Sequence, residues 1–324
     1  MKTHSLVSTV LLLAATLVSL ASTLHSTATP ADVPQPAARN TNSLSALEET
    51  FQRRKAIFGA DHTNTLASMR TLAVAYVTAG RLTNALPLLE EMLKLTKAKL
   101  GAEHPDTLSA MHTLAQANLL AGQLTEAQTL FDQAVKLRQT KLGTNHPSTL
   151  SSMEGLAQVH LASKQFTNAE ALLRTVVARI RQTRGDSSRP LGDALVVLGE
   201  CLLREGKFSS AEPVLREGVP ILEREQPGLT PAFAAQNLLG WALLGQKKYA
   251  DAEPLLVNSY EGLKRRDAQR PDRSRALTLK EGGERVVQLY EAWGKPEKAA
   301  EWRKKLAETR TAPVKTTKSN YKDD

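Results

Sequence analysis

The sequence predicts an all-α protein: about five to six helix-turn-helix units stacked into an α-α superhelix, a solenoid. Three observations carry that expectation. The chain repeats itself with one period, since "FGADHTNTL" starts at Phe58, "LGAEHPDTL" at Leu100 and "LGTNHPSTL" at Leu142, each 42 residues from the last. Within a unit the apolar residues recur in steps of three and four, which places them on one helix face. The composition agrees. Hydrophobic residues make up 41% of the 324 and aromatics only 4%, with Ala and Leu dominant and the strand formers Val, Ile and Tyr sparse.

Two more landmarks keep the 42-residue register. One is Leu72-Ala73, Leu114-Ala115, Leu156-Ala157 and Leu198-Gly199; the other is Ala85, Ala127, Ala169 and Ala211.

The first residues read as an address. "MKTHSLVSTVLLLAATLVSLAS" has one cation, Lys2, an apolar stretch from Leu6 to Leu20 and then small residues, the layout of a secretory signal. Residues 1–21 are therefore expected to be a signal peptide cleaved near Ala21, with Ser26-Thr27-Ala28 as an alternative site. The apolar run falls short of the roughly 20 residues that span a bilayer, so membrane contact is expected only through this segment, if it stays uncleaved. No cysteine stands beside either site, which excludes a bacterial lipid anchor. Residues 22–43, rich in Ser, Thr, Pro and Ala, are expected to be a flexible linker, and residues 309–324 a disordered tail.

The solenoid is expected over residues 44–308. It opens with "LSALEETFQRRKAIFG", which aligns with a second helix alone. In the best-formed unit Met111, Leu114, Ala115 and Leu119 share a face of the first helix, and after Gly122 the residues Leu124, Ala127, Leu130, Phe131, Ala134 and Leu137 do so on the second. Ala115 is expected to face Ala127, because two helices approach closely only where both present small side chains. Gly101 and Gly143 follow Lys-rich helix ends and predict left-handed caps. Pro105 and Pro147 predict first helical positions. Unit five reads "NLLGWALLGQKKYADAEPLL", with Gly240 and Ala252 at the small positions. Unit six reads "VVQLYEAWGKPEKAAEW", where Val287 replaces the small residue and Gly282-Gly283 is expected to weaken the first helix.

The small residues Ala115 and Ala127, twelve apart, with Leu114 before the first and Phe131 four after the second, resemble the tetratricopeptide repeat. The 42-residue period and the "LGxxHPxTL" linkers resemble the kinesin-light-chain type of that family, widespread in bacterial proteins. The resemblance implies that first helices line a concave groove holding a protein or peptide. By family register the groove-facing positions are Arg70, Val74, His112, Gln116, Glu154, Gln158, Glu200, Arg204, Asn237, Trp241 and Gln288. Of these, Trp241 is the natural anchor, being a large aromatic at a position the repeat does not need for packing.

Chemistry is sparse. No HExxH, GxSxG, P-loop or GxGxxG motif occurs, and no kinase signature accompanies the repeats. Glu90 and Glu91 are adjacent on a helix, so their side chains diverge. His62, His104 and His146 recur with the period. Packed helices lie about 8–10 Å apart while zinc ligands stand about 2 Å from one ion, so these histidines cannot share a metal. The single cysteine, Cys201, is expected to be a packed thiol. No enzyme activity, metal or cofactor is expected.

Formal net charge is +9, yet the densest basic runs, Arg53-Arg54-Lys55 and Lys264 to Arg275 with its Asp267 and Asp272, are short. An anionic-polymer binder, of nucleic acid or envelope polysaccharide, is the alternative; it needs clustered bases with stacking aromatics, and nucleic acid is not an expected partner. The favoured reading is an exported adaptor, periplasmic or secreted, that holds a protein or peptide of unknown identity.

Overall fold

A computed structural model describes residues 44–225, 227–269 and 273–311. The expected signal peptide, the linker and residues 312–324 of the expected tail lie outside the described residues. Within them the chain forms thirteen helices and no strand. They are α1 (Leu44–Phe58), α2 (Thr63–Thr78), α3 (Leu82–Leu100), α4 (Pro105–Ala121), α5 (Leu124–Leu142), α6 (Pro147–Ala162), α7 (Phe166–Arg184), α8 (Arg189–Arg204), α9 (Phe208–Glu225), α10 (Thr230–Gly245), α11 (Tyr249–Gln269), α12 (Arg273–Ala292) and α13 (Pro296–Thr311). The last helix thus runs three residues past Glu308.

Each unit pairs an even-numbered first helix with the odd-numbered second helix after it, and each helix packs on the next along the chain. First helices also touch first helices, α4 on α6, α8 on α10 and α10 on α12. That contact makes them the inner layer and leaves the second helices outside, the arrangement of an all-α superhelix.

Local chemistry sets the boundaries. His62, His104 and His146 are the N-caps of α2, α4 and α6: in each the ring Nδ1 accepts the backbone N–H two residues on, at 3.2 Å. Their recurrence is structural. Pro105 and Pro147 stand at the first helical positions. The expected caps at Gly101 and Gly143 need correction. Both have positive φ, 89° and 90°, but ψ is 165° and 162°, so the chain leaves extended, in a region only glycine occupies readily. The left-handed cap belongs to the turn inside each unit, as at Gly122 (φ 78°, ψ 9°). There the following N–H reaches back five residues, Gln123 to the Asn118 carbonyl at 2.9 Å.

The small landmarks lie where helices meet. Ala73, Ala115, Ala157, Ala85, Ala127, Ala169, Ala211 and Ala252 have no exposed surface, and Ala115 and Ala127 share one apolar cluster with Phe131. A Cβ added at Gly199 or Gly240 would run into Leu215 or Leu256 of the paired helix. Gly282-Gly283 does not interrupt α12, which is continuous from Arg273 to Ala292. A Cβ at Gly283 would overlap Leu306 of α13, so this glycine is there for close approach. Among the described residues no helix is long and apolar enough to cross a membrane.

Candidate functional site

The inner layer is tighter than the expected groove. His112, Gln116, Gln158, Glu200 and Asn237 are only 1–4% exposed, because the first helices of successive units close on one another and carry these side chains into the seams. They do not line an open surface, which corrects the expectation for those five. Arg70, Val74, Glu154, Arg204 and Trp241 are half-buried, and Gln288 is exposed.

Between α4 and α6 the seam holds a neutral histidine under a buried arginine. Arg138 of α5 donates to the carbonyls of Leu108 (3.0 Å) and Ser148 (2.7 Å) and to Ser152 Oγ (2.7 Å). His112 Nδ1 lies 3.3 Å from Ser152 Oγ and 3.5 Å from Arg138 Nη1. A guanidinium can only donate, so Nδ1 accepts and the ring proton sits on Nε2, which is buried without a partner. Burial, then the Arg138 charge, pushes His112 down to about 3, and burial pushes Arg138 down to about 10. Every contact here joins parts of the chain to one another, so this seam is a structural staple.

The second seam carries acid. Burial, reinforced by the neighbouring Asp193 of α8, pushes Glu154 of α6 up to about 8. Burial also raises Asp193 to about 6, against the opposing pull of Arg189 at 3.5 Å. One turn on from Glu154, on the same side of α6, Gln158 Oε1 is buried without a hydrogen-bond partner.

The third and richest cluster gathers side chains from three units. Arg204 of α8 donates from Nε (2.9 Å) and Nη2 (2.7 Å) to Oε1 of Glu200. On α10, Trp241 meets Phe208 edge-on, ring centroids 6.4 Å apart. Its face is covered by the Arg285 guanidinium of α12, 4.5 Å from the ring centroid. Arg285 also donates to Asn237 Oδ1 and pairs with Glu281 at 3.5 Å, while Asn237 Nδ2 donates to Ser259 Oγ at 3.1 Å. Burial lowers the Arg285 pKa, with Glu281 and Glu200 acting in the opposite direction. Asn237 is thus a bridge between helices. Trp241 and Arg204, half-buried, keep partial access to solvent.

Asp193, Glu281 and Arg285 are the candidates that register alone misses, and it misses the structural Arg138 as well. No period marks them: 42 residues before Arg138 stands Thr96, and 42 after it Ile180. Among the described residues no group of His, Cys, Asp and Glu has the geometry to hold a metal ion. Cys201 is buried, its Sγ 3.6 Å from the Phe166 carbonyl, and burial pushes the thiol up to about 12, which leaves it inert.

Fold and site together define an α-solenoid of helix pairs with a polar inner face. The tetratricopeptide repeat model matches residues 35–98, 76–140, 119–178 and 148–224, together spanning more than half the chain. The chain belongs to the tetratricopeptide repeat family. Its 42-residue units are similar to those of a protein of nearly identical TPR-like repeats from Podosopora anserina, assigned to the kinesin light chains. The two are 28% identical with TM-score 0.54, over 62% of this chain and 96% of that one. BtubC (BKLC) from P. vanneervenii shares the fold at 15% identity, TM-score 0.59, over 71% of this chain and 92% of the other. A Rap protein complexed with competence and sporulation factor shares it at 11% identity, TM-score 0.53, over 93% and 94%. None of the curated proteins matches the chain. As a tetratricopeptide array the chain is of a class that serves in general as a protein-interaction scaffold, and no catalytic family is indicated.

Proposed function

We propose that the protein is an exported, non-enzymatic adaptor that holds a segment of a partner protein against its inner face. Trp241 and Arg204 are the principal contacts, with Arg285 beside them on the ring of Trp241. The observation that carries this reading is the Glu200, Arg204, Trp241 and Arg285 cluster, drawn from three successive units and combining two ion pairs with a half-buried aromatic ring. The Rap relative has this fold and was solved with a bound factor, which is in keeping with the reading. The signal-like segment at residues 1–21 supports export.

The test is crosslinking capture of the partner from the native envelope with the mature protein, whose mass should place its N-terminus near Ser22 or Thr29. Binding energy concentrates in a few anchors worth about 2 kcal/mol each or more. Trp241→Ala with Arg204→Ala should therefore lower capture at least tenfold while helical circular dichroism stays intact. Lys136→Ala, on an exposed position of α5, should change nothing. Normal capture by the double variant together with loss in Lys136→Ala would move the function to the outer face. A cytoplasmic protein retaining Met1 would end the export reading.

A further inference from the structure

The outer helices α1, α3, α5 and α7 end alike. The last eight residues of each hold three basic residues and no acidic one. One cation near a helix C-terminus answers the dipole there, which amounts to about half a charge, and three exceed it. Nor does the repeat demand them, since the last eight residues of α9 hold Arg224 between Glu223 and Glu225. Three contacts string the four ends along one edge of the stack, the edge that carries the loops between units. Lys99 of α3 reaches Asp61, just past α1, at 3.2 Å. Lys141 of α5 reaches Glu103, just past α3, at 2.6 Å, and Arg179 of α7 reaches Asn145, just past α5, at 2.8 Å. Arg224 of α9 continues the row by donating to the carbonyl of Ser187, just past α7. These contacts engage the loop carboxylates and leave other cations over. Arg53, Lys94, Lys97, Lys136 and Arg184 are exposed, with no carboxylate at ion-pair distance among the described residues. The same edge carries Ile57 and Phe58, 62% and 38% exposed, at the end of α1, and Leu229 in the loop before α10. Among the described residues these are the exposed large apolar side chains.

We propose that this edge docks on an anionic bilayer surface, its cations against the headgroups and Ile57 and Phe58 in the boundary of the acyl chains. The contact is separate from the inner face and does not rest on the adaptor reading. A row of uncommitted Lys and Arg is drawn to anionic lipid over about a Debye length, and apolar side chains that enter the boundary then hold it there. The apolar residues decide between a bilayer and a dissolved polyanion. A nucleic acid or an acidic polysaccharide would meet the cations equally well, but it would leave Ile57 and Leu229 in water. A single strand of nucleic acid also needs open aromatic faces, and one face of Phe58 is already stacked on His62, centroids 4.8 Å apart. The loops lie at helix ends, so docking on this edge stands the helices upright on the bilayer. The turns inside each unit then point away from the lipid, and the inner face stays clear of it.

The experiment is co-sedimentation with vesicles of the chain from Ser22 onward, which keeps all thirteen helices. Vesicles of equal parts phosphatidylglycerol and phosphatidylcholine are set against vesicles of phosphatidylcholine alone. Binding to the anionic vesicles should be about tenfold stronger or more. It should fall about tenfold when salt shortens the Debye length from about 10 Å to about 3 Å. Lys97→Gln with Lys136→Gln should weaken it about threefold or more. Lys164→Gln with Lys247→Gln removes equal charge from exposed positions in the turns of the opposite edge and should leave binding unchanged. Ile57→Ser with Phe58→Ser should weaken binding while helical circular dichroism stays intact. Ile57→Trp should bind as the parent does, with emission shifted to the blue on the anionic vesicles, a change that a merely structural role would not give. Equal binding to both vesicles, binding to neither, or equal loss in the two lysine pairs overturns the proposal. So does tighter binding of a DNA duplex that ignores the changes at Ile57 and Phe58, which would make the edge a polyanion site. None of these failures touches the Trp241 and Arg204 reading, which partner capture tests separately.

Discussion

Lys164 and Lys247 occupy backbone positions that suit neither. Each sits in the turn inside a unit with φ 60° and 62°, where the equivalent residues Gly80, Gly122, Gly206 and Gly294 have φ 71°, 78°, 80° and 72°. The following N–H still closes the turn, Gln165 to the His160 carbonyl at 2.7 Å and Lys248 to Leu243 at 3.0 Å. A side chain in the left-handed region carries a steric cost of roughly 1–2 kcal/mol that glycine avoids, offset in part by glycine's greater freedom when unfolded. Lys164→Gly and Lys247→Gly should each stabilise the protein by about 0.5–1 kcal/mol, read as a higher denaturation midpoint at unchanged slope. A lower midpoint would mean that the lysine side chains hold something the backbone geometry hides. The same scale shows what sequence register conveys. It assigns Trp241 and Arg204 to groove-facing positions, and both side chains are half-buried. It said nothing of how far neighbouring first helices would close, and that closure buries His112, Gln116, Gln158, Glu200 and Asn237. Asp193 and Arg285 went unnoticed because their importance comes from contacts between units, which no single unit's pattern encodes.

At the scale of the element, the paired helices are held by side-chain absence as much as presence. Gly155 of α6 lies against the ring of Phe131 in α5, and a Cβ there would overlap it. Phe131 has no exposed surface and cannot swing away. Gly155→Ala should therefore cost about 1–3 kcal/mol by overpacking, despite alanine's better helix propensity. A variant as stable as the parent in a denaturant melt would show that α5 and α6 slide apart freely. The repeated pairs Leu-Ala and Leu-Gly were legible because each unit must solve one packing problem in one way. Gly155 was not, since its role depends on a ring in the preceding helix. Gly282-Gly283 misled for the opposite reason: propensity argues against a helix there, while the close approach of Leu306 and Tyr260 rewards the missing side chain.

For the whole molecule the question is how strongly one unit depends on the next. Many of the scattered basic residues that invite a polymer-binding reading are engaged between units: Lys207 with Glu170 at 2.9 Å, Lys248 with Glu212 at 2.7 Å and Lys298 with Glu253 at 3.1 Å. Each of these lysines is exposed, so such pairs set register more than they stabilise. The coupling lies in the seams. Helix α6 covers Phe131 through Gly155 and supplies Arg138 with the Ser148 carbonyl and Ser152 Oγ. Ending the chain after Gly143 removes that cover, exposes Phe131 and Val135, and strips a buried guanidinium of two acceptors. Stability in a stacked array is close to a sum of units and interfaces. The shortened chain should therefore melt lower by about 10 °C or more, and a chain ended after Gly228, which keeps α1 to α9, should fall between it and the full protein. If the chain ended at Gly143 melts where the full chain does, the units are independent, and the inner face cannot act as one continuous surface for a bound segment.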